Sequence, residues 1–276
     1  MKFRRDLRER AETSYRVRRT NGVSWYRSRA VVDGLAVVVK RFPRVAPVEN
    51  PSRNYVLVHG LGVSSHYFEW LAAALARDAN VWLVDLPGYG SSPKPRRDVT
   101  VEEHARVLGL VIDSSKVSNP VLVGHSMGCQ VVTEIAVTMP HLSDSLVLLS
   151  PVTNPMRRSQ GQQLFDLVRD FFREPPRADA FGLYSYFLTG RILYYLKQVP
   201  HMIGYPIEDR LRLVQAETLV VVGERDPIVP LEWATQAAAL PARGALAVVP
   251  GAHVIMYSAP RILSERIVKH VEHVAP

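Results

Sequence analysis

Short apolar runs alternate with longer stretches whose apolar residues recur at helical spacing, from about residue 54 to the end of the chain. Six runs predict strands: NYVLVH (54–59), NVWLVD (80–85), PVLVG (120–124), SLVLLS (145–150), TLVVVG (218–223) and ALAVVP (245–250). They are rich in Val and Leu without clean alternation, as expected of strands covered on both faces of a mostly parallel sheet. Two earlier runs, SYRVRRT (14–20) and LAVVVKRF (35–42), predict an antiparallel pair at one sheet edge. Between the strands, HYFEWLAAALARD, VEEHARVLGLVIDSS, SMGCQVVTEIAVTM, LEWATQAAAL and APRILSERIVKHVEHV place apolar residues at i, i+3 and i+4. These predict helices, the second capped by Thr100. The whole reads as an α/β fold.

One segment breaks the rhythm. From Pro151 to Arg212 no buried-type strand appears, yet ten of the chain's nineteen Phe and Tyr residues fall there. Sixty-odd residues do not form one loop inside a compact domain, so a helical insertion over the sheet is expected. The predicted organisation is a basic N-terminal tip (1–14), an α/β core (15–150 and 213–276) and a helical lid (151–212) after the sixth strand.

Composition narrows the class. The 276 residues are 47% apolar and 22% charged, with a single cysteine, Cys129. An intrachain disulfide and Cys-based zinc sites are therefore excluded, which suits a reducing, cytoplasmic setting. No apolar run reaches the roughly 18 residues of a membrane span, and the N-terminus lacks the apolar stretch of a secretory signal. The net charge of +8 is uneven: residues 1–53 hold 14 Lys and Arg against 5 Asp and Glu. That segment is expected to be solvated surface, with weak peripheral contact to an anionic membrane as the sharper option. No nucleic-acid motif accompanies the arginines.

The chemistry concentrates in GHSMG (124–128), which follows a buried strand and opens a helix. A sharp strand-to-helix turn strains its central residue, and small neighbours two positions away on each side relieve clashes. The new helix aims free N–H groups and its positive dipole end at the Ser126 hydroxyl. A serine needs a base and an acid to orient that base. Asp226 lies just past one later strand and His253 past the next, in the chain order Ser…Asp…His.

Taken together these features resemble the α/β-hydrolase fold family, from about residue 30 onward. HGLG (59–62) resembles the family's oxyanion loop, DLPGYGSS (85–92) its loop after the following strand, and 151–212 its lid. The resemblance implies Ser126 as nucleophile, His253 as general base and Asp226 as orienting acid. It implies an oxyanion hole from the N–H groups of Leu61 and Met127, and no metal or organic cofactor. Phe187 and Tyr194 in the aromatic lid are candidate substrate contacts, for a small apolar acyl compound.

Several residues invite other readings. His59 and His125 lie inside the motifs and are expected to pack or hydrogen-bond there, while His270 and His273 fall on a surface face of the last helix. Asp85 also ends a strand, but its setting suggests a turn-stabilising role. The glycines around it do not complete G-x-G-x-x-G, so no dinucleotide site is expected. The expected activity is ester hydrolysis through an acyl-enzyme. Its alternatives are carbon–carbon bond hydrolysis of a diketone-type ring-cleavage product, acyl transfer, or a non-catalytic receptor or scaffold on the same fold.

Overall fold

The computed structural model describes residues 12–20, 22–45, 53–115, 117–153 and 192–274. Its described strands form one nine-stranded sheet in the order β1-β2-β3-β5-β4-β6-β7-β8-β9. The members are β1 (Glu12–Thr20), β2 (Val23–Val32), β3 (Leu35–Phe42), β4 (Arg53–Val58), β5 (Ala79–Asp85), β6 (Val121–His125), β7 (Ser145–Leu149), β8 (Glu217–Gly223) and β9 (Gly244–Val249). From β5 through β4 to β9 every pairing is parallel, while β1, β2 and β3 are joined antiparallel and β3 runs antiparallel to β5.

The sheet is apolar on both faces because alternate residues of each central strand serve opposite layers. Val56, Val58, Leu122, Leu146, Leu148, Val220 and Val222 enter one core cluster. Their neighbours Tyr55, Leu57, Val121, Val123, Val147, Leu149, Leu219 and Val221 enter the other. The first cluster is closed by α2 (Val101–Ser114), α3 (Met127–Thr138), α4 (Ile192–Gly204), α5 (Ile207–Leu211) and α6 (Leu231–Ala239). The second is closed by α1 (Glu69–Leu75), α7 (Ile255–Ser258) and α8 (Pro260–Val274). Leu57 and Leu83, both fully buried, sit where truncation to Ala costs about 2–5 kcal/mol. Thr100 caps α2 in a reciprocal capping box with Glu103, as its sequence position predicts.

Two expectations need correcting at the N-terminal edge. The strands read at 14–20 and 35–42 do not pair with each other. Each pairs with β2, a strand absent from the sequence reading. The β2 stretch VSWYRSRAVV buries only Trp25, Ser28 and Val32, so its polar outward positions hide the strand pattern. Asp33 and Gly34 turn β2 into β3 with φ of 50° and 76°, the backbone of a tight hairpin. The insertion therefore follows the seventh strand, not the sixth.

Within that insertion, α4 and α5 are helical, and both dock on α3. Gln130 Nε2 donates to the Met202 carbonyl at 2.8 Å. Glu134 accepts from Tyr205 Oη at 2.7 Å and from Arg210 Nε and Nη2 at 2.8 and 2.9 Å. A buried carboxylate with three donors is satisfied, so this cluster pins α5 to the core. Residues 154–191 of the predicted lid and 1–11 of the basic tip lie outside the described residues, while 12–14 of the tip belong to β1.

Candidate active site

The parallel strands end on one side of the sheet, and the candidate residues gather there. Ser126 links β6 directly to α3 at φ 55° and ψ −119°, a conformation costing a non-glycine residue about 1–3 kcal/mol. The surroundings hold it. Its N–H donates to Leu149 O at 3.0 Å, and its carbonyl accepts from Cys129 N at 3.0 Å. The bracketing glycines are required sterically. A Cβ on Gly124 would lie 2.6 Å from Cys129 N, and one on Gly128 would strike the Val58 and His59 carbonyls. Gly60 is equally constrained, since a Cβ there would lie 2.9 Å from Ser126 Cβ. The oxyanion-type loop thus lies against the serine.

Met127 opens α3, so its N–H has no partner inside the helix. Cys129, three residues on, is buried, and burial pushes its thiol well above the usual range. Its Sγ lies 3.3 Å from the Gly124 and Leu149 carbonyls. It is a packed thiol that supports the turn.

Asp226 and His253 meet across two loops. Asp226 Oδ1 accepts from the N–H groups of Ile228 and Val229 at 2.9 Å each, which aims Oδ2 at His253 Nδ1, 3.0 Å away. The Asp226 side chain is fully buried. Burial alone would push its pKa up, but the His253 charge and hydrogen bond, with the Val229 N–H, hold the carboxyl below its usual range. Nδ1–H must be the donor in this pair, so the lone pair of neutral His253 lies on Nε2. The His253 ring centroid is 4.8 Å from that of His125, the chain neighbour of Ser126.

The other motif residues take holding positions. Asp85 accepts from Ser65 N–H and Ser91 N–H at 2.8 Å each, one on each oxygen. His59 is buried and neutral: burial lowers its basicity, and the nearby Asp85 charge only partly opposes this. Its Nε2 accepts from Leu86 N–H at 3.1 Å, so Nδ1–H donates to Gly60 O at 2.8 Å.

Tyr194, a candidate substrate contact, lies on α4 with its side chain buried against the 85–92 loop. Its hydroxyl donates to Pro87 O at 3.0 Å, and a Cβ on Gly88 would collide with its ring. Tyr89, unflagged in the sequence, packs against His59, His104, Tyr194 and Tyr195 with ring centroids 4.9 to 6.0 Å apart. Its position on a short loop gives no periodic signal. Phe187 lies outside the described residues. Among the described residues no three His, Cys, Asp or Glu side chains converge as a metal site, and no helix is long and apolar enough to cross a membrane.

Known proteins resemble this chain in sequence and in fold. An uncharacterized protein of Mycobacterium tuberculosis is 35% identical over 95 residues, 34% of this chain and 28% of its own length. The match thus spans under a third of that relative. An uncharacterized hydrolase of Bacillus subtilis, YugF, is 24% identical over 274 residues, covering 88% of this chain and 97% of its own. The crystal structure of a bacterial membrane phospholipase A superposes with a TM-score of 0.77 at 21% identity, over 91% of this chain and 86% of that one. At that identity the likeness is one of fold. The model of the alpha/beta hydrolase family matches residues 55–266, a span running from β4 through the strained serine and the Asp226–His253 pair into α8. By that match, the chain belongs to the alpha/beta hydrolase family.

Proposed function

We propose that the protein is a serine hydrolase that cleaves an apolar ester or related acyl compound through an acyl-enzyme. The observation that carries this reading is the Asp226–His253 pair, whose 3.0 Å bond to Nδ1 leaves Nε2 as the proton acceptor, on the same side of the sheet as Ser126. In the reaction Ser126 Oγ attacks the acyl carbon and gives its proton to His253 Nε2. The N–H groups of Leu61 and Met127 hold the oxyanion. The leaving alcohol takes the proton from His253 as the acyl–oxygen bond breaks. Water then adds to the acyl-enzyme with His253 as base, the acid departs, and Ser126 recovers its hydrogen.

The aromatic composition of residues 151–212, which hold ten of the chain's nineteen Phe and Tyr, supports an apolar acyl group. The test is fluorophosphonate labelling of the parent and of Ser126→Ala, followed by p-nitrophenyl esters of graded chain length beside one vinylogous diketone. Labelling lost in Ser126→Ala, with ester turnover down by about 10³-fold or more, is the expected result. Turnover within tenfold of the parent would remove Ser126 from the nucleophile's role. Faster cleavage of the diketone than of any ester would move the reading to carbon–carbon bond hydrolysis.

A further inference from the structure

Three hydrogen bonds run from the loop that carries Leu61 to the loop that carries His253, through two side chains the proposed reaction leaves unused. The Gly60 N–H donates to Tyr67 Oη at 3.0 Å. Tyr67 Oη lies 2.8 Å from His125 Nδ1, and His125 Nε2 lies 3.1 Å from the His253 carbonyl. The direction of each bond follows from the last, because a carbonyl oxygen only accepts. His125 Nε2 must then bear the hydrogen, its Nδ1 must accept, and the Tyr67 hydroxyl must donate to it. The hydroxyl oxygen is left to receive the Gly60 N–H. The His125 ring is buried, and burial together with the neighbouring His253 keeps it neutral.

We propose that Tyr67 and His125 are positioning residues that lock the oxyanion loop and the base loop into one register around Ser126. The inference rests on the serine hydrolase reading above. The Gly60–Leu61 peptide is gripped on two sides. His59 Nδ1–H holds its carbonyl at 2.8 Å, and the relay holds the preceding N–H. In a trans peptide the N–H of Leu61 points opposite to that carbonyl, so fixing Gly60 O fixes the direction of the Leu61 donor. At the other end, His125 takes the main chain of His253 itself. Ser126 follows His125 directly, so the middle link of the relay also sits beside the nucleophile.

Tyr67→Phe keeps the ring against Phe68, whose centroid is 4.6 Å away, and deletes only the hydroxyl. The expected result on a p-nitrophenyl ester is a fall in kcat of about tenfold to a hundredfold with KM within about twofold, as for an interaction felt mainly in the transition state. His125→Phe should behave alike, and the double variant should be no worse than the slower single variant by more than about threefold. A kcat for folded Tyr67→Phe within twofold of the parent, or losses that multiply in the double variant, would overturn the proposal. Side-chain ¹⁵N spectra of the unmodified protein test it without any variant. They should find His125 protonated on Nε2 alone at pH 7, and an Nδ1–H or cationic ring would overturn it. Fluorophosphonate labelling of the parent separates the two levels. An unreactive Ser126 defeats the hydrolase reading and the positioning role with it, whereas a reactive Ser126 with unaffected Tyr67→Phe turnover defeats the relay alone.

Discussion

Asp85 and Asp226 look interchangeable by position: each stands at or just past the C-terminal end of a parallel strand, and each carboxylate accepts two backbone N–H groups. They differ in how the oxygens are used. In Asp85 the two donors are divided, Ser65 on Oδ1 and Ser91 on Oδ2, and the carboxylate joins two loops. Ser92 reinforces that turn by donating to the Asp85 carbonyl at 2.7 Å. In Asp226 both backbone donors fall on Oδ1, and His253 Nδ1 lies 3.0 Å from Oδ2 and 3.3 Å from Oδ1. One acid is consumed by the fold, and the other retains an oxygen for chemistry. A spare lone pair, more than burial or strand position, separates the structural acid from the catalytic candidate.

The largest expected effect comes from removing that difference at Asp226. Asp226→Asn can still accept from Ile228 and Val229 through its amide oxygen, but it would present an NH₂ group to His253. That favours the wrong imidazole tautomer and gives the imidazolium no counter-charge, so kcat should fall by about 10³- to 10⁴-fold while the protein stays folded at the assay temperature. Steady-state kinetics beside thermal unfolding check it. A small kcat loss would mean that His253 is oriented by something else. Asp85→Asn should show the reverse. One of its two backbone donors would face an NH₂ group, a loss of about 1–3 kcal/mol in a buried site. The kcat of the folded fraction should stay within about tenfold, measured on samples matched by active-site titration.

Much of this contrast was legible beforehand. Ser126, Asp226 and His253 announce themselves because each lies in a short loop fixed by a buried strand, and strand context is local in sequence. Asp85 was read as a turn acid from the glycines after it. Gly90 bears that out, since a Cβ there would overlap the carboxylate. The edge was harder. β2 carries Arg27 and Arg29 among its outward positions, so its pattern resembles a polar linker, although the Asp-Gly dipeptide at 33–34 was a usable hairpin signal. The Tyr67–His125 relay had no sequence signature at all. Its members come from a one-turn 3₁₀ helix (Ser65–Phe68) and the end of β6, and only the folded sheet brings them together.

Tyr194 tests how far the Asp85 loop extends. Its hydroxyl is bound to Pro87 O, two residues past Asp85, so Tyr194→Phe should act as a mild form of the Asp85 lesion. A loss of about 1 kcal/mol is expected in urea unfolding, with ester chain-length preference nearly unchanged. A marked change in preference at unchanged stability would place the hydroxyl in the substrate's path and make Tyr194 a specificity residue first.

The smallest effect is electrostatic and bears on the comparison most directly. Asp226 is held below the ordinary carboxylate range in the folded protein, against the pull of its own burial, chiefly by His253. A carboxyl depressed on folding contributes stability that is fully present above its unfolded value of about 3.9. That contribution drains away as pH falls through the lower folded value. Asparagine at 226 has no such contribution to lose. The stability gap between the parent and Asp226→Asn should therefore narrow as pH is lowered below about 4, read from urea unfolding at a series of pH values. A gap of constant size down to pH 3 would mean that the Asp226 charge is worth nothing to the fold. Asp226 would then be a holder of backbone N–H groups like Asp85, and the distinction drawn from the oxygen turned to His253 would fail.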